Sequence, residues 1–551
     1  MAILSGGVAK YIFYYRRIMI FQDRKTKYQQ IDLVDEEGEV ISGERYFAKI
    51  TTPNEAVEQD GTPLNADNMN KLCQISIGVS DEEVLEAGVL GYDADTRVLK
   101  VGDGESKWQE LEGIKRDINE DVWTYYANGE NDNLTLPAIV SEIISDSRLP
   151  SNACIKLKVC GVLGVNLNEN LLDGNINERT NPKSIFTFEV VDNSADRRVE
   201  IDWSDAIIPQ ITTSTQSSGS LYMAVIRTKS SKISHVGGKI DFTFAVADNY
   251  TVNAYGYFGD GINYEKCEAN VNSTGKGTGQ SAGGYTYGFV GNNCKLNRCK
   301  SNTSQVGAGG CSGYYGNNNR YTFCEAVSIS DTGAGYGFYN NGCAYVHCKA
   351  LGKGGAVSYG YRGDDNVYDC SEATALRQGD NYVVSIGFKG DRCIYRGCKA
   401  YAENKYGYGF SGANNRYVSC NATGVGMQVG NDTGIGVGYY GHNSHLIGCE
   451  AIGITPSGLS AAGYKSNSDE LSTYHVIKDC IFPLPTKEGY APTTTNINAI
   501  NMQTNTNSGV YIAKGNLIDN RLTAICAPAP DNARYIYTDN VVLLNVEKNL
   551  D

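Results

Sequence analysis

Between residues 255 and 480 one phrase recurs nine times: a glycine followed by an aromatic residue, then a cysteine about ten residues later. The aromatics are Tyr257, Phe289, Tyr314, Phe338, Tyr361, Phe388, Phe410, Tyr439 and Tyr464. The cysteines are Cys267, Cys299, Cys324, Cys348, Cys370, Cys398, Cys420, Cys449 and Cys480. The gap between them is 10 in seven copies, 9 in the Tyr361 copy and 16 in the last, while the cysteine-to-cysteine step runs from 22 to 32. A short rigid block with elastic spacers is the pattern of stacked coils joined by loops of varying length. A unit of this size cannot bury its own apolar face and must stack on its neighbours.

Within a copy, apolar or small residues occupy three inward columns. One lies three before the cysteine (Tyr264, Leu296, Tyr321, Tyr345, Tyr395, Tyr417, Leu446), one is the cysteine, and one lies two after it (Ala269, Ser301, Ala326, Ala350, Ala400, Ala422, Ala451). This is period 2 with a corner just before the cysteine, and no copy shows a 3.6 period, so the units are short strands and not helices. Gly and Asn fill the corners, where a positive φ is needed. The expected fold is all-β: a right-handed parallel β-helix with coils of about 22–32 residues, the hand following from the rule for parallel crossovers. The residue after each cysteine reads Glu268, Lys300, Glu325, Lys349, Ser371, Lys399, Asn421 and Glu450. At a coil spacing of ~4.8 Å opposite charges face each other along part of this column; chance alternation on a solvated face is the other reading.

Gly (63) and Tyr (38) are abundant and Pro (12) is scarce across 551 residues, which fits a long β stack better than an α/β enzyme. A net charge of −14 argues against a nucleic-acid partner and a basic membrane-binding patch, and no apolar run approaches the ~18 residues of a membrane span. The opening segment is interrupted by Lys10, Arg16 and Arg17 and lacks a small-residue cleavage site, so no signal peptide is expected, and Met19 is an alternative start. The 17 cysteines are odd in number. Those at one corner of successive coils lie near the ~4.8 Å coil spacing, too far for the ~3.8 Å Cβ separation a disulfide prefers. They are expected to form a buried ladder of free thiols. A second thiol column, Cys294, Cys343 and Cys393, appears in alternate copies. Its Cys-x4-Cys spacing matches no standard zinc pattern, the pair His442 and His445 reads as part of a coil corner, and no metal and no cofactor are expected.

Walker, zincin, nucleophile-elbow and dinucleotide signatures are missing. If the coils cleave glycans, paired outer-face carboxylates are required. Acids near coil loops are Asp260, Asp364, Asp365, Asp380 and Asp391. Asp364, Asp365 and Asp391 are the catalytic candidates, because Asp364-Asp365 falls in the copy with the shortened gap, beside Arg362. A polar corner is the favoured alternative reading of these acids. Phe258, Tyr315, Tyr339 and Tyr440 follow the buried aromatics and are expected to face outward, where rings suit stacking on sugars; a loop or a neighbouring subunit covering them is the alternative. The −14 charge points to a neutral or zwitterionic glycan.

Other segments divide the chain into residues 1–75, 76–120, 121–149 and 150–551. The first holds Gly61-Thr62-Pro63-Leu64-Asn65-Ala66, which resembles N-terminal segments of phage tail fibres and baseplate-linked tail proteins. The second holds Asp93-Ala94-Asp95-Thr96-Arg97-Val98-Leu99-Lys100-Val101-Gly102-Asp103-Gly104, two strands about a turn, and resembles the hairpin of trimeric phage tail proteins. The third carries a loop over Tyr125–Leu134 and then a short helix with Pro137 near its start. It resembles the cap that precedes the first coil of pectate-lyase-like tailspikes, with Asn133 in place of an acid. The resemblance implies a phage tail fibre or tailspike: residues 1–75 attach it to tail or baseplate proteins, 76–120 trimerise it, and 150–551 form the β-helix shaft. It further implies a homotrimer located in the virion tail, made in the host cytoplasm, that binds a bacterial surface glycan. A glycan depolymerase on the same scaffold and a structural tail spacer are the rival functions.

Overall fold

In the computed structural model, residues 122–550 are described apart from 128–131, 147–148, 166–181, 191–195, 215–218, 246–249, 275–283, 308, 380–383, 429–433, 456–460, 469–472, 488–496, 505–508, 520, 527–533, 539–540 and 544–546. Before them only 28–31, 46–49, 75–77, 90–93, 98–101 and 105–107 are described. The chain forms two compact units, Met1–Asn119 and Glu120–Asp551. In the first, Leu90–Asp93 pairs antiparallel with Val98–Val101 and parallel with Ile75–Ile77. The expected turn at Asp95-Thr96 and the Gly61–Ala66 phrase lie outside the described residues.

The second unit is a right-handed parallel β-helix, as the repeats require. Each coil runs through a first-sheet strand (Cys311–Tyr315), a corner, a three-residue second-sheet strand (Arg320–Thr322), a second corner and a third-sheet strand (Glu325–Ser330). The next coil begins at Ala334–Tyr339. Among the described residues the three sheets hold 13, 15 and 13 strands. The early strand-rich segment and the loosened segment after Cys480 both belong to this stack, Cys154–Val162 and Gly509–Lys514 lying in the second sheet. Residues 122–127, expected to be partly loop, form a strand paired with Cys154–Val162.

The repeated Gly-aromatic pair has a packing cause. Both residues point inward, which interrupts the strand's alternation. A Cβ on Gly337 would stand 2.6 Å from the Gly360 carbonyl oxygen of the next coil and 2.7 Å from the Ala350 Cβ on the third sheet. Glycine here and alanine two after the thiol therefore let the first and third sheets close on each other. The aromatic beside it then stacks on its counterparts. From Tyr257 to Tyr439 the eight rings are separated by 4.5–5.1 Å and tilted by at most 11°. A second column, Tyr321, Tyr345, Tyr368, Tyr395 and Tyr417, repeats at 4.6–4.9 Å. The columns meet edge to face, as Tyr345 and Tyr361 do at 79°, a favoured aromatic geometry.

The ladder thiols are buried and free, and Cys299 donates to the Tyr264 carbonyl oxygen of the preceding coil (3.4 Å). The assignment of Cys370 to this ladder is corrected by the register. Ser371 is fully buried in the ladder and receives the Cys348 N–H (3.3 Å). Cys370 occupies the exposed, left-handed corner (φ 49°) that Phe323 and His347 fill in the preceding coils. The shortened gap is thus one exchanged pair of side chains, with no residue missing. The outward column consequently continues through Glu372, not Ser371, and alternates from Lys239 to Lys399 in neighbouring strands. Lys300–Glu325 (3.4 Å) and Lys399–Glu372 (3.3 Å) close as ion pairs, each worth at most about 1 kcal/mol at such exposure.

The second thiol column alternates with asparagine. Cys294, Asn319, Cys343, Asn366, Cys393 and Asn415 share one buried corner position. The Cys343 N–H donates to Asn366 Oδ1 (2.7 Å), and Asn366 Nδ2 donates to the Asn340 carbonyl (2.9 Å) and to the Tyr368 hydroxyl oxygen (3.0 Å). The asparagines thereby satisfy backbone groups of the coils above and below that a buried corner would otherwise orphan. Burial pushes the Cys294 and Cys393 thiols up to about 12.

Helix Thr135–Ser145 caps the first coils. Leu136, Val140, Ile143 and Ile144 join the core, and Pro137 sits in the first turn, where no N–H is missed. Asp132 accepts the Leu134 and Thr135 N–H groups (2.9 and 2.8 Å), and buried Asn133 donates to the Ile185 carbonyl (3.3 Å). His235 is wholly buried between Trp203 Nε1 (3.1 Å) and the Thr228 hydroxyl (2.8 Å), and burial lowers its pKa to about 3.

Two outcomes follow from these interiors. Thiol-reactive reagents should label Cys370 in the native protein and leave Cys348 and Cys398 untouched until denaturation; fast native labelling of Cys348, mapped by mass spectrometry, contradicts the buried ladder. His235 stays neutral in the folded state down to about pH 3 but protonates near 6.5 once unfolded. Its contribution is therefore complete above 6.5 and is lost as pH falls. The slope of unfolding free energy between pH 6.5 and 5 should flatten in His235→Phe, and an unchanged slope rejects that role.

Candidate functional site

The inward Gly-aromatic pair leaves two outward columns on the first sheet, one before the glycine and one after the aromatic. The latter runs Phe258, Val290, Tyr315, Tyr339, Arg362, Lys389, Ser411, Tyr440 and Lys465 in unbroken register. All four aromatics expected to face outward lie on this sheet. Phe258 and Tyr315 pack against the small outer cluster of Tyr255 and Tyr287, and Tyr315 meets Tyr339 edge to face at 5.5 Å. Tyr440 lies farther along and stacks on Tyr408 at 4.8 Å.

The column before the glycine, Tyr255, Tyr287, Ser312, Tyr336, Tyr359, Ile386 and Tyr408, was not singled out from the sequence. Its signal was present as aromatic-Gly-aromatic. Strict alternation from the buried ring assigns that position inward, and only the doubled inward pair reverses it. Tyr336 and Tyr359 stack at 5.3 Å and 5°. The Arg362 guanidinium lies 4.9 Å from the Tyr339 ring centre, 5.3 Å from Tyr359 and 5.6 Å from Tyr336, and it donates to the Tyr336 hydroxyl (3.0 Å). Burial raises the pKa of both Tyr336 and Tyr359. The arrangement is a half-buried, ring-lined surface with one cation held by cation–π contact.

The candidate carboxylates stand at the corner between the first and second sheets. Asp364 Oδ1 accepts the Asp391 N–H (2.9 Å), and Asp391 Oδ1 accepts the Ala413 N–H (2.7 Å). They extend a ladder in which Asp260 accepts from Asn292 (2.6 Å), Asn292 from Asn317 (2.8 Å), Asn317 from Asn341 (3.1 Å) and Asn341 from Asp364 (2.7 Å). Asp365 takes a two-pronged bond from Arg392 (2.7 and 2.8 Å), which holds its carboxyl below the usual value. These acids bind the corner to the adjacent coils. Asp380 lies outside the described residues.

One further polar group was missed. On the third sheet Glu403 is hydrogen-bonded to the Tyr401 hydroxyl and to Lys487 Nζ (3.0 Å), and Lys487 also reaches the Tyr401 oxygen (3.3 Å). Lys487 lies 84 residues from Glu403. No local pattern foretells that contact. No group of three or more His, Cys, Asp or Glu suited to a metal occurs among the described residues, and no described helix is long and apolar enough to cross a membrane.

No known protein family's profile and no curated protein match the chain. Among solved structures it is similar to the periplasmic alginate epimerase AlgG (9% identity, 71% of this chain and 84% of that one, TM-score 0.24). It is also similar to a mannuronic acid specific polysaccharide family 6 lyase from human gut microbiota (11% identity, 71% and 82%, TM-score 0.19). By name both are polysaccharide-acting enzymes, one an epimerase and one a lyase. At such TM-scores the likeness carries no argument about activity.

Proposed function

We propose that the chain is a glycan-binding β-helix of the phage tail-fibre or tailspike kind, receiving an extended bacterial surface glycan on the outward face of the first sheet. The observation that carries this reading is the run of part-exposed rings Tyr315, Tyr336, Tyr339 and Tyr359 on three successive coils, backed by the buried Tyr255 and Tyr287 of the preceding two. Sugar rings have apolar faces that stack on such side chains while their hydroxyls stay in water. Residues 1–75 would serve virion attachment and 76–120 trimerisation, on the strength of the phrases quoted above. Among the described residues, the three strands Ile75–Ile77, Leu90–Asp93 and Val98–Val101 make too small a sheet to hold a substantial core alone, which agrees with assembly through a partner copy.

A second reading, a glycan depolymerase, is favoured by the Tyr401–Glu403–Lys487 group. A half-buried carboxylate joined to a phenol and an ammonium is the kind of set that moves protons in general acid–base catalysis. The same contacts also fasten residues 484–487 to the third sheet.

Tyr315→Ala with Tyr339→Ala should weaken adsorption to host cells at least tenfold while the protein still folds; normal adsorption by the double variant rejects the ring face. Sugar release from the adsorbed glycan, abolished by Glu403→Gln, would replace binding by cleavage as the primary function. Light scattering in native buffer should return three times the chain mass, and a monomer mass excludes the trimer.

A further inference from the structure

The charges on the first sheet are distributed unlike those elsewhere on the coils. None of its 13 strands, from Lys183–Phe188 to Thr523–Cys526, contains an aspartate or a glutamate, although the chain carries 62 such residues and a net charge of −14. The same strands contain Lys183, Arg227, Arg362, Lys389 and Lys465. On the third sheet, by contrast, lysines alternate with glutamates and pair with them.

Four of the five first-sheet cations share the outward column that carries Tyr315 and Tyr339: Arg227, opposite Phe258 and within the field of Glu189, lies before the tyrosines, and three, Arg362, Lys389 and Lys465, lie at or beyond their end. Arg362 and Lys389 are directly opposite on adjacent strands. Lys465 follows three coils beyond Lys389, about 14 Å at one strand spacing per coil. Among the described residues none of the three has an ion-pair partner. Arg362 is satisfied by tyrosine rings and a hydroxyl. Burial lowers the pKa of Lys465, with no carboxylate to offset it. The nearest corner acids are engaged: Asp364 and Asp391 by backbone N–H groups, and Asp365 by Arg392. Like charges opposed across a parallel pair destabilise the sheet. Retaining Arg362 beside Lys389, with no acid in the strands of this sheet, leaves a positive strip that continues the aromatic one.

We infer that this face takes an anionic polysaccharide, its sugar rings on the tyrosines and its acidic groups along Arg362, Lys389 and Lys465. The inference rests on the glycan-binding reading above and specifies the ligand's charge. It replaces the neutral or zwitterionic glycan expected from net charge, because a ligand at the surface is governed by charges within about one Debye length, ~8 Å at physiological salt, and the chain's excess acid lies elsewhere. Charge complementarity favours a polyanion over a second copy of this acidic chain, and the ring strip gives a sugar backbone faces to stack on.

The test uses the full-length protein with polygalacturonate, dextran of matched length and single-stranded DNA, at low and at physiological ionic strength. Polygalacturonate should bind more tightly than dextran and weaken as salt rises. Lys389→Gln with Lys465→Gln should reduce that affinity roughly tenfold or more, bringing it near that of dextran. Lys389→Gln alone should leave the melting temperature unchanged or raised, as relief of repulsion requires; a lowered value assigns Lys389 a structural role and overturns the inference. Equal binding of dextran, or undiminished polygalacturonate binding by the double variant, also overturns it. In that event the glycan-binding reading stands if Tyr315→Ala with Tyr339→Ala weakens both polymers. DNA bound in preference to both polysaccharides overturns the two readings together. A change in oligomer mass in the lysine variants assigns the face to subunit contact instead.

Discussion

Vertical registration is the constraint on which the structure depends. Each coil lies one strand spacing above the last, so a position within the coil is a position in a column, and any side chain placed there must tolerate its own kind ~4.8 Å away. Flat rings satisfy this well: the two core columns repeat at 4.5–5.1 Å, close to the strand spacing. Their bulk on one side requires glycine and alanine on the other, where Gly337 and Ala350 bring the first and third sheets together. The doubled inward pair then turns two flanking residues outward instead of one. The outward face of the first sheet is thus a consequence of how the core is filled.

Much of this was legible because columns are linear in sequence. The strand alternation, the corner before each cysteine, the buried thiols and the outward placement of Phe258, Tyr315, Tyr339 and Tyr440 all follow from spacing. Three features did not. Cys370 and Ser371 exchange places, and a search for cysteine mistakes side-chain identity for register; tyrosine spacing, with Tyr368 stacked between Tyr345 and Tyr395, is the better guide. Asn319, Asn366 and Asn415 looked like turn residues, yet they are the buried partners of the alternate thiols, a role that exists only once coils are stacked. The contact of Lys487 with Glu403 crosses several coils and leaves no local trace.

Net charge averages over surfaces that differ locally. A chain of net charge −14 carries a sheet without a single acidic residue in its strands, and a recognition surface acts through local potential. The corner acids Asp364, Asp365 and Asp391 show the converse. Two of these corner carboxylates, both part-buried, replace asparagine in a backbone-binding ladder, and the third, exposed, is paired with Arg392.

The central claim is that glycan lies along the outward face of the first sheet. Hydroxyl-radical footprinting of the full-length protein, with and without host surface polysaccharide, tests it residue by residue. Protection is predicted at Tyr315, Tyr339 and Tyr359, with Phe323 and Tyr474, exposed on other parts of the coils at 50% and 43%, labelled equally in both states. Protection confined to Tyr401, or to the corner beside Asp391, with the first-sheet tyrosines unchanged, would contradict it.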